Sequence, residues 1–146
     1  MGDGPKDDFQ AVFWETKRVM ARASTAAFSQ HGVHEGQQYV LMCLWDEDGL
    51  TPGEVAKRLG LATPTVTRTT ARMAAAGLLR REPHPVDRRL VRLTLTAKGR
   101  ALEKNIGTEM RRLNDSALAG MPAAERAALI RSLKKVQGNL TRDDAR

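Results

Sequence analysis

The sequence predicts a mainly α-helical protein with a small β-hairpin wing, organised as a winged helix-turn-helix plus a helical dimerisation region. Three observations lead to this fold class. Apolar residues recur at steps of three and four over most of the chain, which is typical of amphipathic helices. Two short helix signatures stand close together around a glycine, and an alternating pattern typical of paired strands follows them. The length of 146 residues fits one domain, residues 1–146.

The composition excludes several classes of protein. Hydrophobic residues make up 41% and charged residues 28% of the chain, as in an ordinary globular protein. No apolar run approaches the roughly 20 residues that span a bilayer, and the polar N-terminal segment does not resemble a signal peptide. A single cysteine, Cys43, cannot form an internal disulfide or a thiolate-only metal site. We therefore expect a cytoplasmic protein without a membrane partner.

The positive charge is concentrated in one third of the chain. The whole chain carries a net charge of +7, from 24 basic and 17 acidic residues. Between Val55 and Arg100 stand eleven basic and two acidic residues, a net charge of +9, so the remainder carries −2. Such a block is the electrostatic footprint of a polyanion partner, although a solvated charged face would have the same composition.

The first two helices have different patterns. After a polar tail at residues 1–8, which we expect to be disordered, apolar residues from Phe9 to Ala27 indicate an amphipathic helix that Gly32 ends. A second helix is expected from about Glu35 to Asp46. It is apolar nearly all round, which predicts a central buried helix, and an acidic turn follows it.

The next two helices form the helix-turn-helix pattern. The segment Thr51-Pro52-Gly53-Glu54 predicts a helix start with a capping box, and Gly60 ends this short helix. Thr63-Pro64 predicts a second start of the same kind, with Thr63 as the cap. We expect this helix to run to Ala76 and to stop at Gly77.

The pattern then changes to that of a hairpin between two long helices. Residues 78–82 and 90–95 are predicted strands, and the loop between them contains two prolines, which exclude a helix. Thr96 is the expected cap of a long helix that Gly120-Met121-Pro122 ends, and a last amphipathic helix follows. The winged helix-turn-helix thus occupies residues 35–96. The helices at 9–30 and 97–142 carry surplus apolar surface, so we expect them to form a dimer, the alternative being a monomer folded back on itself.

The second helix of the motif has a surface suited to DNA. At 100° per residue, Val66, Thr70 and Met73 form a buried face, and the opposite face is small or hydroxylated apart from arginines. Arginine can bind guanine in the major groove, a helix N-terminus can bind phosphate, and an arginine at a hairpin tip can enter the minor groove. Asp87 suits that tip if it pairs with an arginine. The candidate DNA-binding residues are Thr63, Pro64, Thr65, Thr67, Arg68, Arg72, Asp87, Arg88 and Arg89.

On these residues the chain resembles the MarR (multiple antibiotic resistance regulator) family. The matching segments are Leu59-Gly60-Leu61, Thr65-Val66-Thr67-Arg68, Gly77-Leu78-Leu79-Arg80-Arg81, Asp87-Arg88-Arg89 and Leu93-Thr94-Leu95-Thr96-Ala97-Lys98-Gly99. The resemblance covers about residues 9–142. It implies a homodimeric repressor of transcription on pseudo-palindromic double-stranded DNA, with helices in the major grooves, wings in the minor grooves, and release by a small, often aromatic or anionic, ligand. Three departures stand out: His34 and Pro122 where hydroxyl caps are common, and Ala71 where an acid is common.

The effector site is less clear from the sequence. Trp14, His31, Tyr39 and Met42 can line a pocket near the first two helices, and they can equally belong to the core. A metal- or redox-responsive regulator of the same fold is an alternative. Cys43, however, lies among apolar neighbours, which raise a thiol pKa.

Other functions have weaker support in the sequence. The segment from His31 to Glu35 matches neither H-E-x-x-H nor H-x-x-E-H, so we expect no metal site. The chain has no glycine-rich phosphate loop and no G-x-S-x-G motif, so we expect neither an enzyme nor a cofactor. A helical protein-interaction module that does not bind DNA is the remaining rival, but it would not require the basic block.

Overall fold

The computed structural model describes residues 8–145 and contains the predicted elements in the predicted order. They are α1 (Phe9–Ser29), α2 (Gln37–Asp46), α3 (Pro52–Leu59), α4 (Thr63–Ala75), β1 (Leu79–Pro83), β2 (Val91–Leu95), α5 (Ala97–Ala117) and α6 (Ala123–Asp144). The mainly helical fold class with one hairpin is confirmed. Apart from Asp8, the tail expected to be disordered lies outside the described residues. The contacts divide the chain after Arg111 into two units, which we describe separately.

The core of the first unit lies between α2, α3, α4 and the hairpin, with α5 adding two side chains. Its buried apolar residues include Val40, Leu41, Leu44, Val55, Val66, Met73, Leu78, Leu79, Leu93, Leu95, Leu102 and Ile106. The predicted inner face of α4 is confirmed, since Val66, Thr70 and Met73 are all buried. The hydroxyl of Thr70 donates to the carbonyl oxygen of Val66 at 2.8 Å, so this buried polar group is satisfied within the helix.

The helix-turn-helix begins as predicted at α3 and differently at α4. The Thr51 hydroxyl oxygen accepts from the Glu54 amide at 3.2 Å, and Gly60 ends α3 with a φ of 65°. At α4 the cap is Ala62 and not Thr63, so that expectation was wrong. Ala62 takes the extended conformation, and its carbonyl accepts the first helical bond, from Val66 at 3.3 Å.

The second helix also differs from its prediction. It begins two residues late, because Gly36 takes a φ of 88° and Gln37 is the first helical residue. Nor is it buried all round, since Tyr39 and Met42 are 51% and 40% exposed. Only the face that carries Val40, Leu41 and Leu44 packs on the neighbouring elements.

The acidic turn after α2 pairs with the hairpin. The Gly49 amide donates to Leu93 at 2.9 Å, and the Leu93 amide donates to Leu50 at 2.8 Å. The Asp48 carboxylate accepts from the Leu95 amide at 2.9 Å and from the Arg100 guanidinium at 2.9 Å. Residues 48–50 therefore occupy the edge of β2 that β1 leaves free, and they fix the base of the hairpin.

The first turn of α5 lies against the end of α4. The Thr96 hydroxyl caps α5 by accepting from the Gly99 amide at 3.1 Å, as predicted, and donates to the Gly77 carbonyl at 2.6 Å. The Thr96 amide donates to the Leu78 carbonyl at 3.2 Å. A Cβ atom on Gly99 would lie 2.1 Å from that same carbonyl oxygen. Only glycine allows this approach, and the Trp45 ring N–H completes it by donating to the Gly99 carbonyl at 2.9 Å.

The second unit contains the end of α5 and the whole of α6. Gly120, with a φ of 79°, ends the turn that follows α5, and Pro122 is the cap residue of α6. The Arg126 guanidinium donates to the carbonyls of Met121 and Leu118 at 2.9 and 3.0 Å, which closes the turn. No residue of α6 is buried. Among the described residues, no helix combines the length and the apolar character needed to cross a membrane.

The close approach at Gly99 leads to a first prediction. We expect Gly99→Ala to lower the free energy of unfolding by about 1–3 kcal/mol or more, the range for an overpacked site. Chemical denaturation would measure the change. The matched control is Gly107→Ala in the same helix, where the nearest atom to a new Cβ is the Arg111 guanidinium at 3.6 Å. This control should be neutral or slightly stabilising, and equal stability of the two variants would contradict the constraint.

Candidate nucleic-acid interface

The exposed side of α4 carries most of the helix residues proposed from the sequence. Thr63, Pro64, Thr65, Arg68 and Arg72 are all exposed. The remaining candidate on this helix, at position 67, is half-buried. The surface between the two arginines is small, because the residue at position 71 is an alanine. A flat surface with two long cations can approach the floor of a DNA groove closely.

The structure divides the basic block into paired and unpaired side chains. Four of its eleven cations form ion pairs: Arg58 with Glu47 and Asp46, Arg80 with Glu82, Arg89 with Asp87, and Arg100 with Asp48. The other seven form no ion pair with any acidic residue between positions 8 and 145: Lys57, Arg68, Arg72, Arg81, Arg88, Arg92 and Lys98. The unpaired set includes both arginines on the exposed face of α4 and one at the hairpin tip. These cations are free to meet an anion.

The hairpin tip contains the pairing that the sequence required of Asp87. Its carboxylate accepts from the Arg89 guanidinium at 3.0 and 3.1 Å, and from the Arg89 amide at 3.1 Å. These bonds lower the pKa of the Asp87 carboxyl, with the guanidinium as the largest cause and the amide as the next. Arg89 is thus held in one orientation, whereas the neighbouring Arg88 is exposed and unpaired among the described residues.

The helix and the hairpin tip are connected through a short junction. Gly77, with a φ of 77°, ends α4, and the fully buried Leu78 precedes the first residue of β1. Because the Leu78 carbonyl also accepts from the Thr96 amide, the junction is tied to the start of α5. The two candidate DNA-binding elements therefore share one anchored connection.

The four candidate effector residues occupy α1, α2 and the turn between them. Trp14 is 60% exposed, with the Lys17 ammonium 4.6 Å from its ring centre, and Tyr39 and Met42 are also exposed. His31 is half-buried, with its Nε2 atom 3.5 Å from a Glu109 carboxylate oxygen. A cleft of about 300 Å³ lies elsewhere in the first unit, and its lining residues are His34, Glu35, Gln37, Thr69, Arg72 and Ala76. The sequence did not indicate this cleft, because its walls come from segments far apart in the chain.

The cysteine has the environment expected of an unreactive thiol. Burial raises the pKa of Cys43, the nearby charge of Asp46 adds to this rise, and the charge of Arg58 opposes it. Among residues 8–145, no group of three or more metal-ligating side chains is placed to hold an ion.

These features define a class of protein. A helix-turn-helix with free arginines on the exposed face of its second helix, followed by a hairpin with a basic tip, is a winged-helix DNA-binding domain. The sequence profile of the MarR family matches residues 34–91. The chain is 31% identical over 141 residues to the HTH-type transcriptional regulator TtmR of Methylorubrum extorquens, across 94% of this chain and 71% of that protein. It belongs to the MarR family, a family of transcriptional regulators and not of enzymes.

Two further similarities agree with this assignment. The HTH-type transcriptional repressor YetL of Bacillus subtilis is 34% identical over 100 residues, which cover 67% of this chain and 59% of that protein. The crystal structure of a MarR mutant from E. coli in complex with operator DNA has a TM-score of 0.82 to this chain at 25% identity. That match covers 92% of this chain and 99% of the E. coli chain. The protein is a DNA-binding transcriptional regulator with a winged-helix fold.

The pairing of Asp87 leads to a second prediction. We expect NMR titration to place the pKa of the Asp87 carboxyl below its ordinary value, and Arg89→Ala to bring it part of the way back. Because the folded-state pKa is depressed, the Asp87 bonds are fully present above the ordinary aspartate range and are lost as the pH falls through the folded value.

The adjacent arginine supplies the control for this titration. Arg88→Ala removes the same charge one position away, without removing a bond to Asp87, so it should move the pKa of Asp87 much less. Equal shifts in the two variants would mean that the hydrogen bonds are not the cause.

Proposed function

We propose that the protein acts in the cytoplasm as a homodimeric repressor, which binds a pseudo-palindromic operator and leaves it when a small ligand binds. The single observation that carries the DNA-binding arrangement is the location of the unpaired arginines. Arg68 and Arg72 are exposed on α4, and Arg88 is exposed at the tip of the following hairpin, with no acidic partner among the described residues. The identity with a named repressor of Bacillus subtilis supports the choice of repression over activation.

In this proposal each element contacts a different part of the duplex. The α4 helix enters the major groove, where Arg68 and Arg72 bind base edges or adjacent phosphates. The N-terminus of α4, with Thr63, Pro64 and Thr65 exposed, binds a phosphate through its free amides. Thr67 lies beside this face and contributes its methyl group or hydroxyl.

The hairpin tip contacts the minor groove or its backbone in the same proposal. Arg88 supplies the free cation, Arg89 presents its remaining N–H groups, and Asp87 orients Arg89. An aspartate near phosphates would otherwise weaken binding. Its charge is compensated here by the bidentate bond with Arg89.

Dimerisation is supported by the apolar surface on the outer helices. On α1 the exposed apolar residues are Phe9, Val12, Phe13, Val19 and Met20, and on α6 they are Leu129, Ile130, Leu133 and Leu140. Exposed apolar surface of this extent marks an interaction site, and a second copy of the chain is the partner that a two-fold operator requires. We therefore assign residues 9–30 and 97–142 to dimerisation and residues 35–96 to DNA binding.

A small ligand is the proposed signal for release. Trp14 and Tyr39 expose aromatic rings, and His31 and Met42 lie on the neighbouring turn and helix, so a small aromatic or anionic compound suits their chemistry. A redox signal at Cys43 is less favoured, because burial raises the pKa of its thiol.

The DNA contacts can be tested with an operator duplex selected from random sequences. Arg68→Ala should weaken operator binding by about 1–3 kcal/mol and relax the preference at one base pair, as expected for a bidentate contact. Arg88→Ala should weaken binding to the operator and to a scrambled duplex alike, and should reduce the slope of log affinity against log salt by about 0.9. Titrations at several salt concentrations would measure both effects.

The control for these variants is Arg58→Ala. It removes the same charge from the same basic block, but its guanidinium is already paired with Glu47 and Asp46. It should change operator affinity much less than Arg68→Ala. Full and selective binding by both the Arg68 and the Arg88 variants would refute the proposed interface.

The assembly can be tested by light scattering or sedimentation. We expect a dimer at micromolar concentration, and we expect Ile130→Asp to shift it towards monomer, since the aspartate would bury a charge in an apolar interface. Val86→Asp is the control, because Val86 is 88% exposed at the hairpin tip and far in sequence from the outer helices. A monomeric wild-type protein, with and without DNA, would exclude the dimer.

A further inference from the structure

The loop at the hairpin tip, residues 84–90, is held by hydrogen bonds within itself. The His84 amide donates to the Leu90 carbonyl at 3.0 Å, and the Leu90 amide donates to the Asp87 carbonyl at 3.0 Å. Pro85 has no amide hydrogen to contribute. The amides of Val86 and Asp87 lie inside this ring and need an acceptor from a side chain.

That acceptor is a histidine ring nitrogen. The Nδ1 atom of His84 lies 3.2 Å from the Val86 amide and 3.1 Å from the Asp87 amide, and it accepts from both. An imidazole nitrogen accepts a hydrogen bond only when it carries no proton. The loop therefore requires the tautomer in which the proton of the neutral ring lies on Nε2.

These two bonds begin a chain of contacts that ends at the arginines. The ring fixes the backbone at Asp87, and the Asp87 carboxylate then fixes the amide and the guanidinium of Arg89. The charged groups around the ring are the carboxylates of Asp87 and Glu82 and the cation of Arg88, the last two of which line the same open depression as His84.

We propose that His84, as the Nε2–H tautomer, is a positioning residue for DNA binding, because its Nδ1 atom holds the loop that presents Arg88 and Arg89. This inference rests on the proposed contact between the hairpin tip and DNA. The histidine itself need not touch the duplex. Its effect passes through the Val86 and Asp87 amides to the arrangement of the two cations.

The proposal separates DNA affinity from stability. The loop lies at the surface, so water can bind the two amides when the ring is removed, and the core loses no contact. What is lost is the single loop conformation, and binding must then order the loop before the arginines meet DNA. A variant without the acceptor should therefore unfold at nearly the same temperature and bind DNA more weakly.

Three substitutions at one position test the acceptor. His84→Asn places a carbonyl oxygen close to the position of Nδ1, whereas His84→Gln places its polar group further out, near Nε2, and His84→Ala removes both. We expect the Asn variant to bind the selected operator nearly as well as the wild type. The Gln and Ala variants should bind about twofold to tenfold more weakly, the range for one or two hydrogen bonds. All three should retain the wild-type unfolding temperature.

The tautomer can be observed directly in the free protein. At about pH 8, where an ordinary imidazole is neutral, the nitrogen-15 shifts of the His84 ring should show an unprotonated Nδ1 and a protonated Nε2. A protonated Nδ1 would overturn the proposal, and so would equal DNA affinities of the Asn and Ala variants.

The failure of this proposal differs from the failure of the proposed interface. If the hairpin does not contact DNA, Arg88→Ala leaves affinity and salt slope unchanged, and the role of His84 in DNA binding falls with it. If the hairpin does contact DNA but His84 has no positioning role, Arg88→Ala weakens binding while His84→Ala does not.

Discussion

The fold depends on the contact between the Leu78 carbonyl and the first turn of α5. That carbonyl belongs to the residue that joins α4 to β1, and it accepts a hydrogen bond from Thr96, where β2 passes into α5. The contact requires that Gly99 carry no side chain, since a Cβ would lie 2.1 Å from the oxygen. Four elements meet at this point, so the directions of the DNA-facing helix, the hairpin and the long helix are fixed together.

Local signals made most of the fold predictable, and long-range contacts account for what was missed. The helix start at Thr51 and the buried face of α4 depend on residues within one or two turns, and both were confirmed. The role of Asp48 was missed, because its carboxylate bonds to the amide of Leu95, 47 positions later. The sequence string that ends at Gly99 indicated a family, but its steric reason appears only when Leu78 is in place.

The candidate site was predictable in composition and less so in the state of each charge. The sequence located the basic block, but charge counting cannot tell Arg58, which is paired with Glu47, from Arg68, which has no acidic partner among the described residues. The pairing of Asp87 was anticipated, since its bonds to Arg89 span two positions. The ring of His84 had no sequence signal, because its role depends on which of its nitrogens faces the loop amides.

The self-contained hydrogen bonding of the loop at residues 84–90 has a consequence for how such a regulator changes during evolution. Each bond described there joins two residues of the loop, so substitutions at the tip do not disturb the core between α2, α3 and α4. New tip sequences can therefore arise on an unchanged body and can be selected for a different operator. The loop behaves as an exchangeable module, whereas the α4 helix, which buries Val66 and Met73, can vary freely only on its exposed side.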